Sequence, residues 1–69
     1  MKEEYYSLVG VDGNAYLIMA YVQRAMRQCG KTREEQDAYI NDAENGDYDH
    51  LLSVSMDMID KLNEEIDAQ

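Results

Sequence analysis

The side chains best suited to chemistry are one histidine, His50, one cysteine, Cys29, and an acid-rich segment, Asp42-Ala43-Glu44-Asn45-Gly46-Asp47. A catalytic centre needs a nucleophile, an acid–base pair or a metal held in a pocket. His50 stands beside Tyr48 and Asp49 with no nucleophile signalled near it, so it reads as a partly exposed surface histidine. Cys29 falls on an apolar face near a helix end and reads as a small core residue. Only the nearby Lys31 leaves a reactive thiolate open. The acidic segment fails as a calcium loop. With its glycine at position six, an EF-hand would start at Asn41 and put Ala43 and Leu52 where carboxylates belong. A lone cysteine forms no internal disulfide, and CxxC or HxxxH spacings for zinc are missing. Gly10-Val11-Asp12-Gly13-Asn14 lacks the lysine of a phosphate loop, and Asp12 would repel phosphate. The expectation is therefore a protein with no catalytic residue, no metal site and no cofactor, and not an enzyme.

Two other patterns carry more information. Glu34, Asp37, Asn41 and Glu44 form one polar row, and Asp57, Asp60 and Glu64 form another. On a helix, successive members of such rows lie roughly 4.5 to 6 Å apart along the axis, near the spacing of phosphates on a nucleic-acid strand. Each row reads either as an ordinary solvated face or as a polyanion mimic that fills a basic groove on a protein target. The second pattern is Tyr16, Leu17, Ala20 and Tyr21, which make the start of a helix apolar nearly all round. Either the N-terminal segment covers that surface or another chain does, as a homodimer or a partner.

Three helical segments must position these residues. The first spans about 13–29, with Asp12 as a candidate N-cap, Val11 as a staple on Tyr16, and Gly30 at the left-handed C-terminal position. At about 100° per residue, Ala15, Ile18, Met19, Val22, Ala25, Met26 and Cys29 share one face. Thr32 with Glu35 forms a capping box for a second helix over 33–45, closed by Gly46. Its apolar stripe is thin: Tyr39, Ile40 and Ala43, with Gln36 alongside. Asp47 caps a third helix over 48–66, whose inner face should hold Tyr48, Leu51, Leu52, Ser55, Met58, Ile59, Leu62 and Ile66. Short glycine-containing connections predict an all-α fold, a compact three-helix bundle in one domain. Residues 1–11, with Tyr5, Leu8 and Val9, form either an extra turn or an arm.

Bulk properties set the remaining bounds. The 69 residues are 45% apolar, enough for a core and too many for a disordered tail. No apolar run approaches the length of a membrane span, and the N-terminus lacks the pattern of a signal peptide, so a cytoplasmic protein is expected. The net charge of −9 argues against direct contact with nucleic acid or an anionic membrane. The charge is uneven. Residues 13–33 carry +4, from Arg24, Arg27, Lys31 and Arg33, whereas residues 34–69 carry −11, with Lys61 the one cation among twelve acids. That division fits attraction between the helices, or a partner with a basic surface.

The pairing of GVDGNAY (Gly10 to Tyr16) with GDYDHLL (Gly46 to Leu52) resembles a family of small proteins encoded by phages and other mobile elements. The resemblance covers roughly residues 8–60. It implies a context in which small acidic proteins inhibit host machinery, including CRISPR and other defence complexes. It transfers no functional residue. Within the two motifs, Asn14, Asp49 and His50 have the weaker structural reasons and so mark a candidate site.

Overall fold

Each helix starts where a side chain can take up amide hydrogens that the first helical turn leaves unpaired. In the computed structural model, which describes residues 5–68, these caps define α1 (Ala15–Gln28), α2 (Arg33–Glu44) and α3 (Tyr48–Asp67). The α2 cap is the expected one. Thr32 Oγ1 accepts the Glu35 N–H at 3.1 Å while Glu35 Oε1 accepts the Thr32 N–H at 2.8 Å. Asp47 Oδ1 likewise accepts the His50 N–H at 2.9 Å and opens α3.

The start of α1 differs from the expectation of Asp12 as cap and Gly13 as first residue. Asn14 is the cap, its Oδ1 accepting from Tyr16 N–H at 2.8 Å and Leu17 N–H at 3.4 Å. Asp12 Oδ1 is already taken by the Asn14 N–H at 2.9 Å, in a local turn that aims the chain into the cap. Val11 lines a groove with Leu17, Ala20 and Tyr21, whereas Tyr16 lines a different one, beside the α2–α3 turn. At the other end, Gly30 has φ +83°, the Gly30 N–H donates to Arg27 O at 3.1 Å, and the Lys31 N–H donates to Met26 O at 2.9 Å. That is a complete Schellman closure.

All three pairs of helices pack against one another in an all-α three-helix bundle, with a Cα radius of gyration of 11.6 Å. Val22 and Met26 of α1, Tyr39 and Ala43 of α2, and Leu51 and Leu62 of α3 form the centre of the core. The expected inner face of α3 holds at Leu51, Ser55, Ile59 and Leu62, is half-buried at Leu52, Met58 and Ile66, and fails at Tyr48, which is exposed. Two buried polar side chains are matched. Ser55 Oγ and Tyr39 OH are 2.6 Å apart, and Gln36 Nε2 donates to Lys31 O at 3.1 Å. Among the described residues, no buried side-chain nitrogen or oxygen lacks a partner, and no helix is long and apolar enough to cross a membrane.

The described part of the N-terminal segment is an arm, not a helical turn; residues 1–4 lie outside the described residues. Its anchor is Tyr6. The Tyr6 N–H donates to Asn63 Oδ1 and Tyr6 O accepts from Asn63 Nδ2, both at 2.9 Å, so one α3 amide satisfies both backbone groups. The Tyr6 ring meets Tyr21 edge to face at 6.3 Å, and Tyr21 OH accepts the Ser7 N–H at 2.9 Å. Tyr5 OH hydrogen-bonds Asp67 at the end of α3. Val9, grouped with Leu8 from its apolarity, faces solvent at 92% exposure.

Candidate functional site

The turn into α1 and the turn between α2 and α3 meet at one end of the bundle. Tyr48 OH donates to the carbonyl oxygen of Gly13, tying the second segment to the first. Tyr48 leaves the core because it sits in the first turn of α3, where reaching that carbonyl satisfies its hydroxyl. A Cβ on Gly13 would stand 3.3 Å from the same hydroxyl, so the glycine permits the close approach. α2 closes just before Gly46, as expected, with Asn45 as its cap; like Gly13, Gly46 permits a close approach and makes no left-handed turn, the positive-φ glycines being Gly10 and Gly30. A Cβ on Gly46 would fall 2.7 Å from the ring of His50.

His50 is therefore seated over a bare backbone. From α3 its Nε2 reaches back to the last turn of α2, 2.8 Å from Asp42 O and 3.1 Å from Asp42 Oδ1. Both are acceptors, so Nε2 carries the proton, and the ring clasps the α2–α3 turn. The Asp42 carboxylate raises the histidine pKa above its ordinary value; the Asp42 carbonyl adds to this, and Asp47 contributes by its charge. A histidine whose pKa rises on folding contributes stability that is fully present below its unfolded value of about 6.5. That contribution is lost as pH climbs through the higher folded value. His50→Gln should thus lower the thermal midpoint more at pH 5.5 than at pH 8.5. Gly46→Ala should cost about 1–3 kcal/mol by overpacking, because the added methyl meets both the ring and the Cβ of His50; the Gly46→Ala, His50→Ala double variant, which keeps that Cβ, should recover only part of the loss. Chemical denaturation of the four proteins checks the cycle, and equal penalties in both backgrounds would refute the contact.

Beside this clasp lies an open cleft of about 420 Å³. Met19 of α1, Ala43 of α2 and Leu51 of α3 line its apolar part. Tyr16 and Tyr48 contribute two rings, and Glu44 and Asp47 contribute two carboxylates. Asn14 and His50, flagged by motif alone, hold the flanking turns in place as helix cap and clasp. Asp49 is exposed in the first turn of α3, where its charge suits the helix dipole.

The four apolar residues at the start of α1 do not form one patch. Leu17, Ala20 and Tyr21 line a groove with Val11, Asp12 and Arg24, whereas Tyr16 faces the cleft. The arm covers Tyr21 only in part and leaves Leu17 half exposed.

The acidic rows are exposed at Glu34, Asp37 and Glu44 of α2 and at Asp57, Asp60 and Glu64 of α3. Asp57 flanks the α2–α3 groove beside Asp42 and Lys61, while Asp60 flanks the opposite groove beside the arm. The outward face of α3 thus spreads its carboxylates to both sides. The basic residues are partly consumed inside the chain. Lys31 Nζ pairs with Glu65 at 2.8 Å, which raises the lysine pKa, and Arg33 makes a loose 3.7 Å contact with Asp37. Among the described residues, neither Arg24 nor Arg27 forms an ion pair, and no cluster of three or more His, Cys, Asp or Glu side chains is placed to hold a metal. Cys29 is half-buried and free, its Sγ 4.0 Å from Tyr6 OH.

No protein-family profile matches the chain, and no curated protein or solved structure matches it either.

Proposed function

We propose that this chain is a non-enzymatic protein-binding module that presents acidic helical surface to a basic surface on its target. The observation that carries this reading is the exposure of Asp57, Asp60 and Glu64 together on α3, with no lysine or arginine paired to any of them among the described residues. Water screens isolated surface charges, but a row of like charges sums into a field that steers a cationic partner. In its sharper form, the helix competes with nucleic acid for a basic groove. The likeness of GVDGNAY and GDYDHLL to phage and mobile-element proteins favours a host nucleic-acid-binding or defence complex as the target.

The test is capture of a partner by the native chain and by the Asp57→Lys, Asp60→Lys, Glu64→Lys triple variant, followed by titration of the captured protein across salt concentrations. Binding should weaken at least about tenfold from low to high salt and be lost in the triple variant, with circular dichroism unchanged. Salt-independent capture, or capture undiminished by reversal, removes the reading. A second reading, a homodimer through the groove of Leu17, Ala20 and Tyr21, with Tyr16 outside it, is favoured by the half-exposed Leu17. Light scattering on the same samples separates the two, since a monomer at high micromolar concentration leaves the dimer without support.

A further inference from the structure

The cleft where the two turns meet is built unlike the rest of the acidic surface. Tyr16 is 75% exposed and Tyr48 45% exposed, whereas Tyr39 is buried and Tyr21 is partly covered by the arm. Two of the polar walls are fixed before any ligand arrives. Tyr48 is held by its hydrogen bond to Gly13 O, and Asp47 is held by the His50 N–H, which occupies one carboxylate oxygen and leaves the other available. The remaining two, Tyr16 and Glu44, are exposed and have rotamer freedom to close on an occupant. Between them lies apolar surface from Met19 and Leu51.

The site carries more negative than positive charge, although the N-terminus of α3 partly answers Asp47, which caps it. No lysine or arginine lines it, and neither Glu44 nor Asp47 is in an ion pair among the described residues. The last turn of α2, which forms one wall, holds no basic residue of its own against the negative end of its dipole, and the group that reaches it from α3 is His50, at Asp42 O. The positive end of α3 is already answered by Asp47 and Asp49. Aromatic rings, carboxylates and an apolar floor match one common side chain: a planar guanidinium that stacks on tyrosine, donates N–H bonds to carboxylates along its edge and lays its methylenes on methionine and leucine.

We propose that this cleft receives one arginine side chain of the protein partner, anchored between Tyr16 and Tyr48 and paired with Glu44 and Asp47. The proposal rests on the reading of the chain as a binder of basic surfaces and gives that reading a point of contact. The Tyr16 ring forms the movable wall, Tyr48 the fixed one, and the α3 carboxylates supply the wider field.

The probe is the blocked tripeptide acetyl-Gly-Arg-Gly-amide, titrated at low salt into isotope-labelled protein and followed by amide NMR. Its counterpart with citrulline in place of arginine has nearly the same shape and no charge. Saturable shifts at Ala15, Met19, Gly46 and Leu51 with the arginine peptide, and none with the citrulline peptide, are expected. Tyr16→Ala should weaken binding roughly twofold to fivefold, the effect of losing one exposed cation–π contact, and Glu44→Gln should weaken it similarly. Both positions are exposed, so the folded spectrum should survive each change. Equal binding of the citrulline peptide overturns the proposal. Shifts centred on Asp57, Asp60 and Glu64 overturn the cleft while leaving the acidic-face reading intact. Failure of the arginine peptide to bind anywhere overturns the cleft, while the acidic-face reading stands or falls on the salt titration of its captured partner.

Discussion

Leu62→Ala is expected to cost about 2–5 kcal/mol and to lower the thermal midpoint by tens of degrees, since each kcal/mol moves a domain of this size by about 4–8 °C. Leu62 is fully buried and belongs to the central apolar cluster shared by all three helices. Removing its branched end leaves a void that a packed core cannot refill. A chain this short without disulfide or metal has a total stability on the order of 3–5 kcal/mol, so the variant should be substantially unfolded at room temperature. Circular dichroism with thermal melting reads the outcome. Leu62→Met, which nearly conserves volume, should cost less than about 1.5 kcal/mol, and Met56→Ala, at an exposed α3 position, should stay within about 0.5 kcal/mol. A Leu62→Ala protein that melts like the parent would mean that the three helices do not share this core.

Most of that core could be read from periodicity, because burial along a helix follows a simple angular rule. The rule fails at helix ends, where the core tapers. Tyr48 shares the angular position of Leu51 and Ser55 yet turns outward to Gly13. Capping was readable where both partners sit three residues apart, as in Thr32 and Glu35, and ambiguous where two good caps lie two residues apart. Asp12 and Asn14 were such a pair. The decision went to the residue whose oxygen reaches two helix amides, and that depends on the turn at Gly13, not on residue type. Gly46 marks the end of α2 as its position suggests, but the room it leaves for His50 depends on a side chain four residues on and is not legible from the glycine alone.

The candidate site was less legible because its parts are distant in sequence. Tyr16 belonged by pattern to the apolar group with Leu17 and Ala20. Only the packing of α1 against the α2–α3 turn sends its ring to the other flank, toward Glu44 and Asp47. The arm shows the same limit. Tyr6 and Asn63 are 57 residues apart, and nothing local to either announces that one amide will satisfy both backbone groups of the other. The acidic rows were visible as charge on helices, but their division between two grooves follows from which flank of α3 meets α2 and which meets the arm.

The buried hydroxyl pair yields the second large effect. Tyr39 OH and Ser55 Oγ lie 2.6 Å apart in a core where Ser55 is wholly inaccessible and Tyr39 is 3% exposed. Burial raises the Tyr39 pKa, so the ring stays neutral and the pair is a neutral hydrogen bond. Ser55→Ala would leave the tyrosine hydroxyl without its partner in apolar surroundings, at a cost of about 1–3 kcal/mol. Tyr39→Phe would strand the serine, which can turn its hydroxyl to a helix carbonyl, so its cost should fall at the lower end of that range. The double variant removes both polar groups and should be more stable than Ser55→Ala alone. Denaturant unfolding of the four proteins gives a coupling energy on the order of 1 kcal/mol or more. Additive losses would show that the two hydroxyls are satisfied independently. A positive coupling has a further consequence for specificity. Periodicity alone would let α2 rotate slightly on its thin apolar stripe, and one hydroxyl pair at its centre fixes which face of α2 meets α3. That register also sets Glu44 at the rim of the cleft and Asp42 within reach of His50. Loss of the pair should therefore loosen the His50 clasp, seen as a smaller difference in midpoint between pH 5.5 and pH 8.5 in the double variant than in the parent.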